Sequence, residues 1–349
     1  MRKEEGKNVA TLKDVARLAG VSISTASFSL NGGAKVREET RRRIDQAAAT
    51  LHYVPNASAR SLVTQKNLVI GVIRCTDKLD DSFYAFDTTI DTYLSEMLKS
   101  IEQESVRFGY SLMVDWANTH DNGSHLSSLY ETGKVDGILM VGGIVEEGLP
   151  ARLKERQIPT VMVGSRNEYF DYVDTDYAKA MMMAVEYLVK NGHRKIAFLG
   201  GPDTSQTSAI KLKGFRKAMD DASLEVREDW LGKGDFSGLA GYEAMKGIWE
   251  KGGRPTAIVA AVDCIGLGAL RYLHEQKVYC PDDISLVGYE DGLLAEYSIP
   301  PLTTVSSEKQ LLGKEACRIL IDRIKSPDTP LEQIIVNPVL KVRESVRKV

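Results

Sequence analysis

The chain has 349 residues, 43% hydrophobic and 27% charged. That composition excludes wholesale disorder and leaves room for two or three domains around sizeable cores. The net charge of −3 is unevenly spread: the first 66 residues carry +6 and the remainder −9. A basic head on an acidic body suits a head that touches phosphates and a body that stays clear of them; a solvated basic face without a partner is the plainer alternative.

In chain order, Thr11 is placed to cap a helix over Leu12–Ala19, with Asp14 three residues on as the acid of a capping box. Leu12, Val15, Ala16 and Ala19 fall on one stripe of it, and Gly20 supplies a left-handed stop. Ser22 then caps a second helix, Ile23–Leu30. Val21, Ala26 and Leu30 are expected inside, with Ile23, Ser24, Thr25, Ser27 and Phe28 outside. Such an outer face is odd for plain solvent and sensible against base edges, thymine methyls and phosphates. Asn31-Gly32-Gly33 breaks the chain. A third helix, 37–51, points Arg41, Arg42 and Arg43 outward and Ile44, Ala47, Ala48 and Leu51 inward. Two short angled helices suit a DNA major groove, although any small three-helix bundle has similar spacing. Pro55 and Asn56 then open a two-turn helix to about Thr64. It is too short to be stable alone, and DNA is the natural thing to order it. Leu62 on its exposed side is either a minor-groove wedge or packing for the chain's own domain.

Beyond Lys66, wholly apolar strands alternate with amphipathic helices. The expected strands are 68–73, 110–116, 137–142, 159–164, 195–201, 257–262 and 284–290, with IIVNPVLKV as a last one. Expected helices include 92–108, 177–191, 212–222, 240–251 and 267–277. Strands apolar throughout mean parallel sheets covered on both faces, here two Rossmann-like α/β units. Ligands of such sheets bind beyond the carboxyl ends of the strands. That makes Thr76, Asp77, Trp116 and Gly143 of the first unit candidate effector contacts, with Arg166, Lys211, Phe236, Asp263 and Glu290 of the second. Trp116 or Phe236 would stack on a ring, and Lys211, Asp263 and Glu290 would bond hydroxyls. Trp116 reads equally as core, and Asp263 and Glu290 as helix caps.

The motifs TLKDVARLAGVSISTAS, YVPNASARSL, KVDGILMVGG, NGHRKIAFLGG, GDFSGLAGYEA, RPTAIVAAVD, PDDISLVGYED and IPPLTTV, in this order, resemble the lactose/galactose repressor family of bacterial regulators along essentially the whole chain. The resemblance implies an all-α helix-turn-helix head and hinge helix on a periplasmic-binding-protein-like core. It implies a homodimer on a pseudo-palindromic operator in double-stranded DNA, controlled by a small-molecule effector of carbohydrate type. It places Ile23, Ser24 and Phe28 at base-reading positions and Thr11, Ser22, Thr25, Ser27, Asn31 and Tyr53 at phosphate contacts. Asn56, Ala59 and Leu62 fall in the hinge, with Leu62 intercalating. The implied division is a head over 1–54, a hinge over 55–66 and a core over 67–349. Within the core, 67–165 plus 294–324 would form one subdomain and 166–293 plus 325–349 the other.

Four positions depart from the family pattern. Phe28 and Lys211 replace arginines, Val262 an asparagine and Glu290 an aspartate. Phe cannot make the bidentate guanine contact of Arg, and Lys is a point charge without the planar fork. An altered operator base pair is therefore expected, and either an atypical effector or a weakened effector site. The long segment after the first strand, CTDKLDDSFYAFDTTI, points the same way.

The four cysteines are scattered without CxxC spacing, and the five histidines form no acid–base or metal motif, so neither a metal nor another cofactor is expected. Phosphate-binding, nucleophile-elbow and dinucleotide motifs are absent, which argues against an enzyme. A transport solute-binding protein is the rival reading; the basic head and the lack of an apolar leader in MRKEEGKNVA argue against it. No apolar run approaches a membrane span. The expected location is the bacterial cytoplasm, in association with the nucleoid. The absence of a Leu heptad tail favours a dimer over a tetramer.

Overall fold

The structure is a computed structural model and describes residues 10–30, 36–54, 66–76, 88–118, 129, 132–142 and 148–349. The chain divides after Leu68 into two compact units. The first holds α1 (Leu12–Ala19), α2 (Ile23–Leu30) and α3 (Glu38–Thr50). Thr11 and Asp14 close the capping box reciprocally: Asp14 N–H donates to Thr11 Oγ1 at 3.4 Å, and Thr11 N–H to Asp14 Oδ2 at 3.0 Å. Gly20 ends α1 at φ 64°, where a side chain would be strained. A small core of Val15, Ala19, Ile44, Ala47 and Ala48 holds the three helices together. Val21, Leu30, Leu51 and Tyr53 pack at its margin.

The second unit contains two six-stranded sheets. The first is built from β1 (Val69–Thr76), β2 (Ser111–Asn118), β3 (Gly137–Val141), β4 (Thr160–Val163), β5 (Asp171–Thr175) and a late strand, Gln333–Val336. Helices α4 (Thr88–Arg107) and α5 (Gly148–Glu155) lie between its strands in sequence. After β5 come α6 (Tyr177–Lys190), β6 (Ile196–Leu199), α7 (Gln206–Asp221), β7 (Leu231–Gly232) and α8 (Gly238–Glu250). They are followed by β8 (Ala257–Ala260), α9 (Asp263–Glu275), β9 (Ser285–Glu290), α10 (Leu293–Tyr297), β10 (Thr303–Ser306) and α11 (Lys309–Lys325). The chain closes with β11 (Gln333–Val336) and β12 (Val339–Lys341). The sheet orders are β11-β5-β4-β3-β1-β2 and β12-β10-β9-β8-β6-β7. Both repeat the 2-1-3-4-5 winding, which puts a ligand crevice at the carboxyl ends of the strands. All pairings are parallel except β10 with β12.

The expected subdomain boundaries at 165, 293 and 324 are corrected by sheet membership. β5 still belongs to the first sheet and β10 to the second, so the chain crosses at Asp176, at Ser307–Glu308 and at Asn337–Pro338. The segment IIVNPVLKV is two strands in different sheets, not one. Pro338 has no N–H to continue a ladder, and the chain turns there from β11 into β12. The three crossings are tied to one another. Thr175 Oγ1 donates to Ser307 O at 3.1 Å, Asp176 N–H to Val336 O at 3.4 Å, and Lys179 Nζ to Asn337 Oδ1 at 2.8 Å.

Arg323 fixes the outer edge of the first sheet. Its guanidinium grips both Asp171 oxygens at 2.9 Å and donates to the carbonyls of Pro327, Thr329 and Pro330. His193, buried between Thr256 Oγ1 and Arg347 O, pins the C-terminal segment to the second sheet. Among the described residues no helix is long and apolar enough to cross a membrane.

Candidate DNA-binding and effector sites

On the head, Ser22 Oγ accepts the Thr25 N–H at 3.1 Å and lies 2.8 Å from both Ser24 Oγ and Thr25 Oγ1. This hydroxyl cluster caps α2 and leaves its first turn rigid and polar. Ala26 and Ser29 are buried, whereas Ile23 and Phe28 remain 49% and 47% exposed. Ser24 is exposed beside them; Thr25 and Ser27 are half-buried. The three residues assigned to base reading therefore share the uncovered side of α2. Of the phosphate-contact candidates, Thr11 and Ser22 are exposed and Tyr53 is partly packed into the head core. The Thr11 hydroxyl also donates to Asp14 Oδ2 at 2.7 Å, and these bonds hold the Asp14 carboxyl below its usual range. Asn31, Asn56, Ala59 and Leu62 lie outside the described residues.

In the second unit, Lys211 on α7 is buried. Its Nζ donates to Ala261 O at 2.9 Å and lies 4.2 Å from the Tyr289 ring centre, 5.3 Å from Tyr177 and 5.8 Å from Phe236. Burial lowers the ammonium's proton affinity, and Glu290, Asp263 and Asp174 oppose that shift. Burial likewise raises the Glu290 carboxyl, opposed by Lys211. Glu290 closes β9 with φ 109° and Asp291 follows at φ 56°, two adjacent residues in the region that disfavours side chains. Tyr177 and Tyr289 meet edge to face at 6.0 Å. Burial, with Glu290 and Asp174 nearby, raises the half-buried Tyr93 phenol.

Asp263, the first residue of α9, does not cap its own helix. Its Oδ1 accepts Thr304 Oγ1 at 2.6 Å and its Oδ2 the Gly292 N–H at 3.0 Å. Burial pushes this carboxyl up to about 6, partly offset by those two bonds. Both of its oxygens are thus engaged by groups of the chain itself, one of them a hydroxyl. Arg166 is exposed and donates Nε to Asp174 Oδ2 at 2.7 Å and Nη2 to Thr175 O at 3.3 Å. A Cβ on Gly201 would collide with the Phe236 ring, so that ring rests on the β6–α7 turn. Trp116 and Thr76 fall within strands β2 and β1, not after them, because both strands run longer than expected. Asp77 and Gly143 lie outside the described residues. The structure thus gathers Lys211, Phe236, Asp263 and Glu290 and adds Tyr93, Asp174, Tyr177 and Tyr289, which the strand-end rule missed. Tyr289 and Asp174 each sit one residue inside a strand end; Tyr93 joins them only through the fold.

Residues 11–56 match the model for bacterial regulatory proteins of the lacI family, and residues 185–346 that for a periplasmic binding protein-like domain. The HTH-type transcriptional repressor PurR of Escherichia coli O1:K1 / APEC is 35% identical over 344 residues, 97% of this chain and 97% of that protein. The chain belongs to the LacI family of bacterial regulatory proteins. This LacI-family chain is accordingly a DNA-binding transcriptional repressor, not an enzyme. Among solved structures, a transcriptional regulator CelR–cellobiose complex matches with TM-score 0.70 and 29% identity, over 96% of this chain and 99% of that one. The Lac repressor dimer bound to operator and the anti-inducer ONPF matches the fold with TM-score 0.81 and 24% identity, over 97% and 99%.

Proposed function

We propose that two copies of the chain bind a pseudo-palindromic operator, with one α2 in each of two successive major grooves about 34–36 Å apart. The observation that carries this reading is the uncovered face of α2. Ile23, Ser24 and Phe28 are its base-reading groups, and Thr11, Ser22, Thr25, Ser27, Asn31 and Tyr53 its phosphate contacts. The residues 55–66 serve as hinge, where Asn56, Ala59 and Leu62 engage the minor groove, between a head over 1–54 and a core over 67–349. An apolar run supports the homodimer: Leu293, Leu294, Tyr297 and Ile299 are 61%, 48%, 73% and 97% exposed, which suits a surface covered by a second copy. The protein acts in the cytoplasm, at nucleoid DNA.

The cleft around Lys211, Phe236 and Glu290, with Arg166, Asp263, Thr76, Asp77, Trp116 and Gly143 as further contacts, takes a small sugar or sugar derivative. The CelR–cellobiose complex supports that ligand class. The effector acts by binding one arrangement of the two subdomains better than the other, a coupling of about 1–3 kcal/mol in typical cases.

The test is selection of random duplexes by the full chain, followed by thermal-shift screening of sugars, nucleosides and sugar phosphates. Enrichment of an inverted repeat, and a rise in melting temperature with one ligand class, are expected. A single unpaired half-site would overturn the dimer reading, and no shift with any carbohydrate would overturn the ligand class.

A further inference from the structure

Lys309 is the first residue of α11, a place where the helix dipole disfavours a cation, and its side chain is only 6% exposed. Its partner explains the position. Glu96 of α4 pairs with it, Oε2 to Nζ at 2.7 Å. The other Glu96 oxygen, Oε1, accepts the Leu293 N–H at 3.3 Å, and Lys309 Nζ donates to the Asp291 carbonyl at 3.2 Å. α4 and α11 pack against each other, and α11 lies on strands of the first sheet. Asp291 and Gly292 form the turn that leaves β9 of the second sheet immediately after Glu290, and Leu293 opens α10 (together the 291–293 loop).

Inside its own subdomain that loop is held by two further bonds. Gly292 N–H donates to Asp263 Oδ2, and Arg343 Nη2 to Asp291 Oδ1 at 2.6 Å. The positive φ angles of Glu290 and Asp291 persist only where surrounding bonds over-determine them. Glu96 and Lys309 supply those of the bonds that come from the opposite subdomain. Parting the subdomains breaks both of them, leaving the buried ammonium with Glu96 but without the Asp291 carbonyl.

We propose that Glu96 and Lys309 are positioning residues of the effector cleft, tying the first subdomain to the 291–293 loop so that subdomain closure and the setting of Glu290 are one event. As an account of regulation, this rests on the effector reading above.

The test is hydrogen exchange on the ligand-free full chain, so its result is independent of whether any ligand is found. Glu96→Ala is expected to speed exchange of the 291–293 amides about tenfold or more, while the β8 amides keep their protection. Glu96→Gln keeps an acceptor for Leu293 but loses the charge facing Lys309, and should fall between Glu96→Ala and the native chain. Adding Lys309→Met to Glu96→Ala should cost less than Lys309→Met costs the native chain, because Lys309 has already lost the carboxylate that seats it against the loop. Unchanged loop exchange in the folded variants, additive effects, or equal acceleration in β8 would each overturn the proposal.

Discussion

Phe28 presents an apolar ring where the family pattern places a guanidinium, and its 47% exposure leaves that ring available to a duplex. A thymine methyl satisfies it; guanine O6 and N7 do not. Phe28→Arg should move base preference toward G·C at one position of each half-site, read by selection and sequencing. An unchanged consensus would show that Phe28 reads no base. Asp263 offers a second test. Burial pushes its carboxyl up to about 6, above the usual aspartate range, so below that pH the native state binds more protons than the unfolded chain. Its contribution to stability therefore grows as pH falls through 6 and is complete near 4. The stability of the native chain relative to Asp263→Asn should rise from pH 7 to pH 4 in thermal melts, and a flat difference would contradict the buried placement. The charges near Glu290 were only half legible in the sequence. Strand ends point to Lys211, Asp263 and Glu290 and could have pointed to Asp174, but Glu96 and Lys309 join them from helices in distant stretches of chain, which no local pattern signals.

The head helices were readable almost to the residue, because Thr11, Gly20 and Ser22 are caps whose chemistry is local. α7 starts at Gln206, well before the expected Leu212, because its first turn is polar and carries no apolar period. Its cap, Ser205, was the available signal. At the other end of the core, the break at Asn337–Pro338 depends on which sheet each half of the segment can pair with, and that is decided by tertiary structure. Close helix packing was likewise hidden. A Cβ on Gly268 would overlap Gly238 O, and one on Gly241 would overlap Ile265 O, so α8 and α9 touch backbone to backbone. This seat sets the start of α9 and hence Asp263. Gly268→Ala should cost about 1–3 kcal/mol by overpacking, measured by denaturant unfolding. A neutral result would mean that the helices part without penalty.

Two similarly wound sheets joined by three crossings suit the proposed switch between two subdomain arrangements, which the head would report to DNA. The apolar run at Leu293–Ile299 follows the loop that Glu96 and Lys309 hold, so the proposed effector site and the proposed dimer surface share one stretch of chain. Tyr297→Asp together with Ile299→Asp should yield monomers in sedimentation and weaken operator binding while leaving the fold intact. Dimers that persist would place the interface elsewhere. The most direct test of operator recognition is an anisotropy titration of the 349-residue chain against the selected two-half-site duplex and a scrambled one, across a range of salt. Roughly 10³-fold or greater preference for the selected duplex is expected, with affinity falling steeply as salt rises. Equal binding to both duplexes at every salt concentration would contradict it.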